Sequence, residues 1–161
     1  MIYGVDVGAS GAVAVLDGDR LVTVVDMPTK EVMINKRKKK RVDAQTLFDC
    51  LRHYEIDHAF IETVSAMPNQ GVASMFAFGQ AVGIVEGVIA SLTDQVTGVR
   101  PQEWKKHFGL GNDKDASRQV AMDRFPDHAG LFKRKKDDGR AEAALIGLWG
   151  YECQLTSRQF N

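Results

Sequence analysis

Ile2-Tyr3-Gly4-Val5-Asp6-Val7-Gly8 opens the chain as an apolar run carrying one carboxylate. Two further short runs rich in Val follow, at 11–16 and 21–26. Gly8-Ala9-Ser10-Gly11 separates the first pair, and Asp17-Gly18-Asp19-Arg20 separates the second as a tight hairpin signal. This spacing predicts three consecutive antiparallel strands. Pro28 ends the third, and a basic loop is expected through about Arg41.

Downstream the pattern changes. Asp43 suits the N-cap of a helix over Ala44 to Tyr54, with Leu47, Leu51 and Tyr54 on one face. His58 to Glu62 reads as a fourth, buried strand. A meander followed by helix–strand alternation defines a mixed α/β sheet. A long helical pattern runs from about Val72 to Leu92, with Gly79, Gly83 and Gly87 at four-residue intervals. Each glycine costs up to about 1 kcal/mol relative to Ala, so the stripe implies close approach of another backbone. The chain's own sheet is the favoured surface, and a partner subunit is the alternative. Gln95 to Val99 supplies a fifth strand, stopped by Arg100-Pro101. A short helix carries Trp104, Lys105 and Lys106, and another spans Asp115 to Arg124. A second basic loop, Asp127 to Lys136, precedes a last helix from Asp138 to Cys153.

A length of 161 residues fits a single domain, 1–161, with a core that needs no disulfide staples. Cys50 and Cys153 have no metal-like spacing and read as reduced, intracellular thiols. No run is expected to span a bilayer, because Gln80 and Glu86 interrupt the glycine-spaced segment. Met1 leads straight into the first strand, so no signal peptide is expected. The formal charge is zero, yet 17 of the 21 Lys and Arg residues fall within 30–41, 100–118 and 133–140. Clusters of this kind are the electrostatic footprint of a polyanion.

Three acidic positions mark the ends of apolar segments. Asp6 closes the first strand, Glu62 closes the fourth, and Asp138 with Glu142 opens the last helix. Carboxylates among apolar residues are costly to bury without a counter-charge. If the fold brings them together, a hard divalent cation is the natural one. Asp138 and Glu142 stand i, i+4 apart, on one helical face. The nucleophile constellations of acyl transfer, the P-loop and the GxGxxG fingerprint are all missing from the sequence.

Together these residues resemble the RuvC-type Holliday junction resolvases of the ribonuclease H-like superfamily, small phage-type members above all. The resemblance covers essentially the whole chain. Its carriers are Tyr3 to Gly8 with the following hairpin, Ala59-Phe60-Ile61-Glu62, the glycine-spaced helix, Val99 to Lys106, and Lys135 to Ala143. It implies an α/β, ribonuclease H-like fold with a five-stranded mixed sheet and helices on both faces. It implies a homodimer acting on branched DNA, four-way junctions in particular, in the cytoplasm of a bacterial or phage-infected cell.

By position, the resemblance makes Asp6, Glu62, Asp138 and Glu142 both metal ligands and catalytic residues, with Asp137 as the substitute for Asp138. The cofactor implied is Mg²⁺, two per site, with Mn²⁺ able to replace it, for phosphodiester hydrolysis. DNA contacts are expected from Lys36, Arg37, Lys38, Lys39, Lys40 and Arg41. A second group comprises Lys105, Lys106 and Lys114, and a third Lys133, Arg134, Lys135 and Lys136. The bacterial family members carry an aromatic shortly after the second acid, whereas Ser65, Ala66 and Met67 stand here and the first aromatic is Phe76. The alternatives are a non-catalytic branched-DNA binding module and a broader structure-selective nuclease.

Overall fold

A computed structural model describes residues 1–65, 71–111 and 114–159, with the side chains of Lys114 and residues 154–159 left aside. The described residues form seven strands: β1 (Ile2–Asp6), β2 (Ala12–Asp17), β3 (Arg20–Asp26), β4 (Thr29–Ile34), β5 (Arg37–Val42), β6 (His58–Glu62) and β7 (Val96–Val99). The α-helices are α1 (Ala44–Leu51), α2 (Val72–Ala90), α3 (Pro101–His107), α4 (Lys114–Arg124) and α5 (Asp138–Gln159). Two 3₁₀ turns, Pro126–Phe132 and Lys135–Asp137, lead into α5.

The main sheet runs β3-β2-β1-β6-β7. β1, β2 and β3 pair antiparallel, whereas β6 pairs parallel to both β1 and β7. Successive side chains of a strand point to opposite faces, so the sheet divides its core in two. Tyr3, Val5, Val13, Val15 and Ile61 pack beneath α1 and α2 with Leu47, Leu51, Val85 and Ile89. Ala12, Ala14, Leu16 and Phe60 pack on the other side with Trp104, Phe132 and the α5 residues Ala144, Leu145 and Leu148. The five-stranded mixed sheet with helices on both faces is as expected.

α5 lies unusually close to β1. A Cβ on Gly4 would fall 2.1 Å from Ala143 O and 2.3 Å from Gly147 N. Backbone therefore meets backbone, and the start of α5 is set firmly against the end of β1.

Three segments differ from the sequence reading. The basic segment after Pro28 is a two-stranded hairpin, β4–β5, paired from Thr29↔Val42 to Ile34↔Arg37. Asn35 and Lys36 take φ of 49° and 60°, the two positive values that a two-residue type I′ turn requires. The basic segment before α5 is mostly 3₁₀ rather than loop. The glycine stripe of α2 does not pack on the chain's own sheet. Among the described residues, a Cβ on Gly79, Gly83 or Gly87 would meet nothing within 4 Å, and α2 instead buries Ala81, Val85, Val88 and Ile89. With a mean hydropathy of 1.6 over 18 residues, α2 also meets the length and composition of a membrane span, contrary to expectation.

Candidate metal centre

The sheet register decides which way the acids point. Val5 pairs with Ile61, which sets Asp6 and Glu62 side by side on adjacent parallel strands. Val5 and Ile61 face α1 and α2. The residue following each must face α5, by the two-residue period of a strand. Glu142 reaches the same place from the second turn of α5. Carboxylate oxygens of Asp6, Glu62 and Glu142 all lie within 4.8 Å of one another.

Three ionised carboxylates this close repel by on the order of 3 kcal/mol per pair at an effective dielectric near 20. Glu62 is buried and Glu142 half-buried, so water screens them incompletely. Lys105 Nζ stands 3.6 Å from Glu142 Oε1 and 5.1 Å from the centre of the Trp104 ring. Lys105 thus brings one positive charge to the edge of the cluster. The donor set is all hard oxygen, which suits a divalent ion such as Mg²⁺ or Mn²⁺ and not a soft one.

The surrounding side chains hold the acids in place. Fully buried Trp104 donates Nε1–H to Glu62 Oε1 at 3.0 Å. α3 brings it there, with Pro101 at its first turn and Glu103 Oε2 accepting the Arg100 N–H at 3.0 Å. Gly139 fits against the β1–β2 turn. A Cβ there would lie 2.8 Å from Asp6 Oδ2 and 2.6 Å from Ser10 O.

The aspartates preceding α5 have different surroundings. Asp138 is not among the three clustered acids. Its Oδ1 stands 3.1 Å from Arg118 Nε, yet the alignment makes no hydrogen bond, and both atoms are buried with no hydrogen-bond partner among the described residues. The contact is an ion pair of poor hydrogen-bond geometry. Arg118, mostly buried, also donates to Asp115 and to Lys133 O, the latter at 3.1 Å. Asp137 is 1% exposed. It accepts Arg134 N–H at 2.8 Å and Arg134 Nη2 at 2.9 Å, with Arg140 Nη1 at 3.7 Å. Burial raises its pKa, but the Arg134 hydrogen bonds outweigh that and hold it below the usual carboxylate range. Asp137 thus serves the turn that starts α5.

The basic residues fall on three segments of the chain, two of which share one cavity through Lys40, Arg134 and Lys136. Lys36 to Arg41 form the turn and second strand of the β4–β5 hairpin. Lys106, Lys133, Arg134, Lys135 and Lys136 are exposed. Lys114 begins α4, but its side chain lies outside the described residues, as do Ala66 and Met67. Trp104, Arg118 and Arg140 were not singled out from sequence. Each is an ordinary core or helix residue until the fold sets it beside an acid.

A mixed sheet of this order, with acids at the ends of β1 and β6 and in α5, defines a ribonuclease H-like architecture. Comparison with solved structures finds the same fold. A Thermus thermophilus RuvC in complex with a Holliday junction substrate aligns with TM-score 0.63 over 96% of this chain and 94% of that one, at 14% identity. A second Thermus thermophilus RuvC structure gives TM-score 0.59, 16% identity and 96% coverage of both chains. The chain has the RuvC fold. Among curated proteins, the chloroplastic Holliday junction resolvase MOC1 of Chlamydomonas reinhardtii is 28% identical over 94 residues, 57% of this chain. The match spans 11% of that protein's length. No family model matches the sequence.

Proposed function

We propose that the protein is a divalent-metal-dependent endonuclease that cuts four-way DNA junctions. The observation that carries this reading is the convergence of Asp6, Glu62 and Glu142, from three elements remote in sequence, to within 4.8 Å. The RuvC fold and the sequence match to a Holliday junction resolvase support it.

In this reading Asp6, Glu62 and Glu142 hold the metal, with Mg²⁺, two per site, as the proposed ion and Mn²⁺ as a substitute. Bound metal supplies Lewis-acid polarisation of the phosphate and a water of lowered pKa. Trp104 fixes the rotamer of Glu62 through its indole N–H. Lys105, beside Glu142, adds a positive charge that would attract a phosphate to the site. Asp138 lies one turn before Glu142 on α5, and its carboxylate is ion-paired with Arg118. Asp137 is committed to Arg134 and is the poorer candidate. The exposed lysines and arginines of the β4–β5 hairpin and of the turn before α5 supply long-range attraction for DNA.

A homodimer belongs to the same proposal. It is supported by the open glycine stripe of α2 and by Val72 and Phe76, 86% and 68% exposed. Sedimentation of the wild type as a monomer at assay concentrations would count against it. A location with the DNA of a bacterial or phage-infected cell follows from this reading alone.

The deciding experiment compares wild type with Asp6→Asn on a synthetic four-way junction. The wild type cuts it with Mg²⁺ or Mn²⁺, and Asp6→Asn lowers the rate at least about 100-fold. Junctions left intact by wild type, or cut equally by the variant, would sink the proposal. Linear duplex, flap and fork substrates in the same assay separate a junction enzyme from a broader structure-selective nuclease.

A further inference from the structure

The basic hairpin and the basic turn before α5 meet. Lys40 of β5 and Arg134 and Lys136 of the turn line one cavity of about 350 Å³, whose floor includes Ser10 and Gly11 of the β1–β2 turn. Asp26, Asp137 and Arg140 close it. The cavity therefore contains four cations and two carboxylates, and the carboxylates are already engaged. Arg140 Nε and Nη2 donate to the two oxygens of Asp26, each at 2.5 Å. Asp137 is held by Arg134 at 2.9 Å. Lys40 and Lys136 are exposed, and neither has a carboxylate within ion-pairing distance among the described residues. On the hairpin, Glu31 lies opposite Lys40 in the strand register, but its carboxylate pairs with Lys38 at 3.1 Å instead.

We infer that this cavity binds a DNA backbone phosphate, distinct from the one at the carboxylate cluster, between Lys40 and Lys136. The inference rests on the nuclease reading and deepens it. Three observations carry it: two unbalanced ammonium groups, a concave wall between them, and the position of the wall. The β1–β2 turn has Asp6 at its start and the cavity on its flank. A Cβ added to Gly139 would lie 2.8 Å from Asp6 Oδ2 and 2.6 Å from Ser10 O, so both atoms flank the same point of α5. A strand crossing this turn therefore presents one phosphate to the carboxylates and another to the lysines. The Asp26–Arg140–Asp137–Arg134 chain of ion pairs braces the wall and keeps its own carboxylates from competing for the lysines.

The test measures junction binding by fluorescence anisotropy with Ca²⁺ in place of Mg²⁺, across a salt series. Lys40→Gln with Lys136→Gln is expected to weaken binding by about 10–100-fold near 0.1 M salt and to lower the salt slope by roughly two. Lys39→Gln with Lys135→Gln, neighbours that do not line the cavity, is expected to lose markedly less. A scan of single neutral methylphosphonate linkages then locates the phosphate. One linkage weakens wild type but not the Lys40/Lys136 variant. Equal losses from both variants, or no linkage whose effect depends on the two lysines, would overturn the site. Inorganic phosphate that protects the lysines from acetylation while every linkage stays uncoupled would make it a free-anion site and overturn the DNA assignment. Failure of the nuclease reading looks different, because wild type would then leave junctions uncut with Mg²⁺ or Mn²⁺ whether or not it binds them.

Discussion

Trp104 donates its indole N–H to Glu62 Oε1 at 3.0 Å, joining the first turn of α3 to the end of β6. Glu62 is 9% exposed, so this donor is a main determinant of where its carboxylate points. Partners that orient a metal ligand typically affect metal affinity by about 10–100-fold. Trp104→Phe keeps most of the ring volume and removes the donor. Mn²⁺ affinity, read by calorimetry on the protein without DNA, should fall within that range while the melting temperature moves little. An unchanged Mn²⁺ affinity would show that the indole serves packing alone.

Arg118 and Asp138 make a second such pair, one of poor alignment. Arg118 is also tied to Asp115, whose pKa the guanidinium hydrogen bond lowers, and to the Lys133 carbonyl. Arg118→Ala should therefore lower thermal stability and leave Asp138 free to turn. Combining it with Asp138→Asn should cost less than the sum of the single changes, because the two share one contact. Additive melting-point losses would mean that the contact contributes nothing.

The strands were legible because β1, β2 and β6 are short apolar runs bounded by Gly and charged residues, and the pleat then dictates which acids share a face. The hairpin was not. β5 is Arg37-Lys38-Lys39-Lys40-Arg41-Val42, a sequence of low strand propensity. Its partner β4 imposes the pairing, and Asn35-Lys36 makes the turn without a glycine. The glycine stripe suggests close approach of another backbone, the chain's own sheet first and a partner subunit as the alternative, and the structure turns it away from the sheet, since composition cannot say which face of an apolar helix meets the sheet. Asp6, Glu62 and Glu142 could be nominated from their positions beside apolar runs. Their fixing partners could not, because Trp104 and Glu62 are joined only by the tertiary fold.

Glycines in this chain should respond in opposite directions to the same substitution. Gly4→Ala drives a Cβ into Ala143 O and Gly147 N. Backbone cannot move aside like a flexible side chain, so a loss of at least about 2 kcal/mol is expected. The same shift pushes α5 from β1 and parts Glu142 from Asp6, which should weaken Mn²⁺ binding as well. Gly79→Ala and Gly83→Ala meet open space and gain helix propensity, so each should stabilise the monomer by up to about 1 kcal/mol. Chemical denaturation of the variants checks both signs. In the proposed dimer the α2 changes would also weaken self-association, so the melts should be run over a range of protein concentrations.

Asp26 and Arg140 provide a test by pH. The bidentate hydrogen bonds from Arg140 hold the Asp26 carboxyl below the usual range. A depressed folded-state pKa stabilises the fold at every pH above the unfolded value of about 3.9. That contribution is lost as pH falls through the folded value. Asp26→Asn removes the charge at all pH, so wild type should melt higher than the variant by a constant margin above about pH 4. The margin should then shrink as acid protonates Asp26. Asp26 is 62% exposed and screened, so the margin should be modest and should narrow in salt. Melting curves of both proteins across acidic pH, at low and high salt, decide it. A margin that stays constant through the acid range would mean that Arg140 does not hold the Asp26 charge in the folded protein.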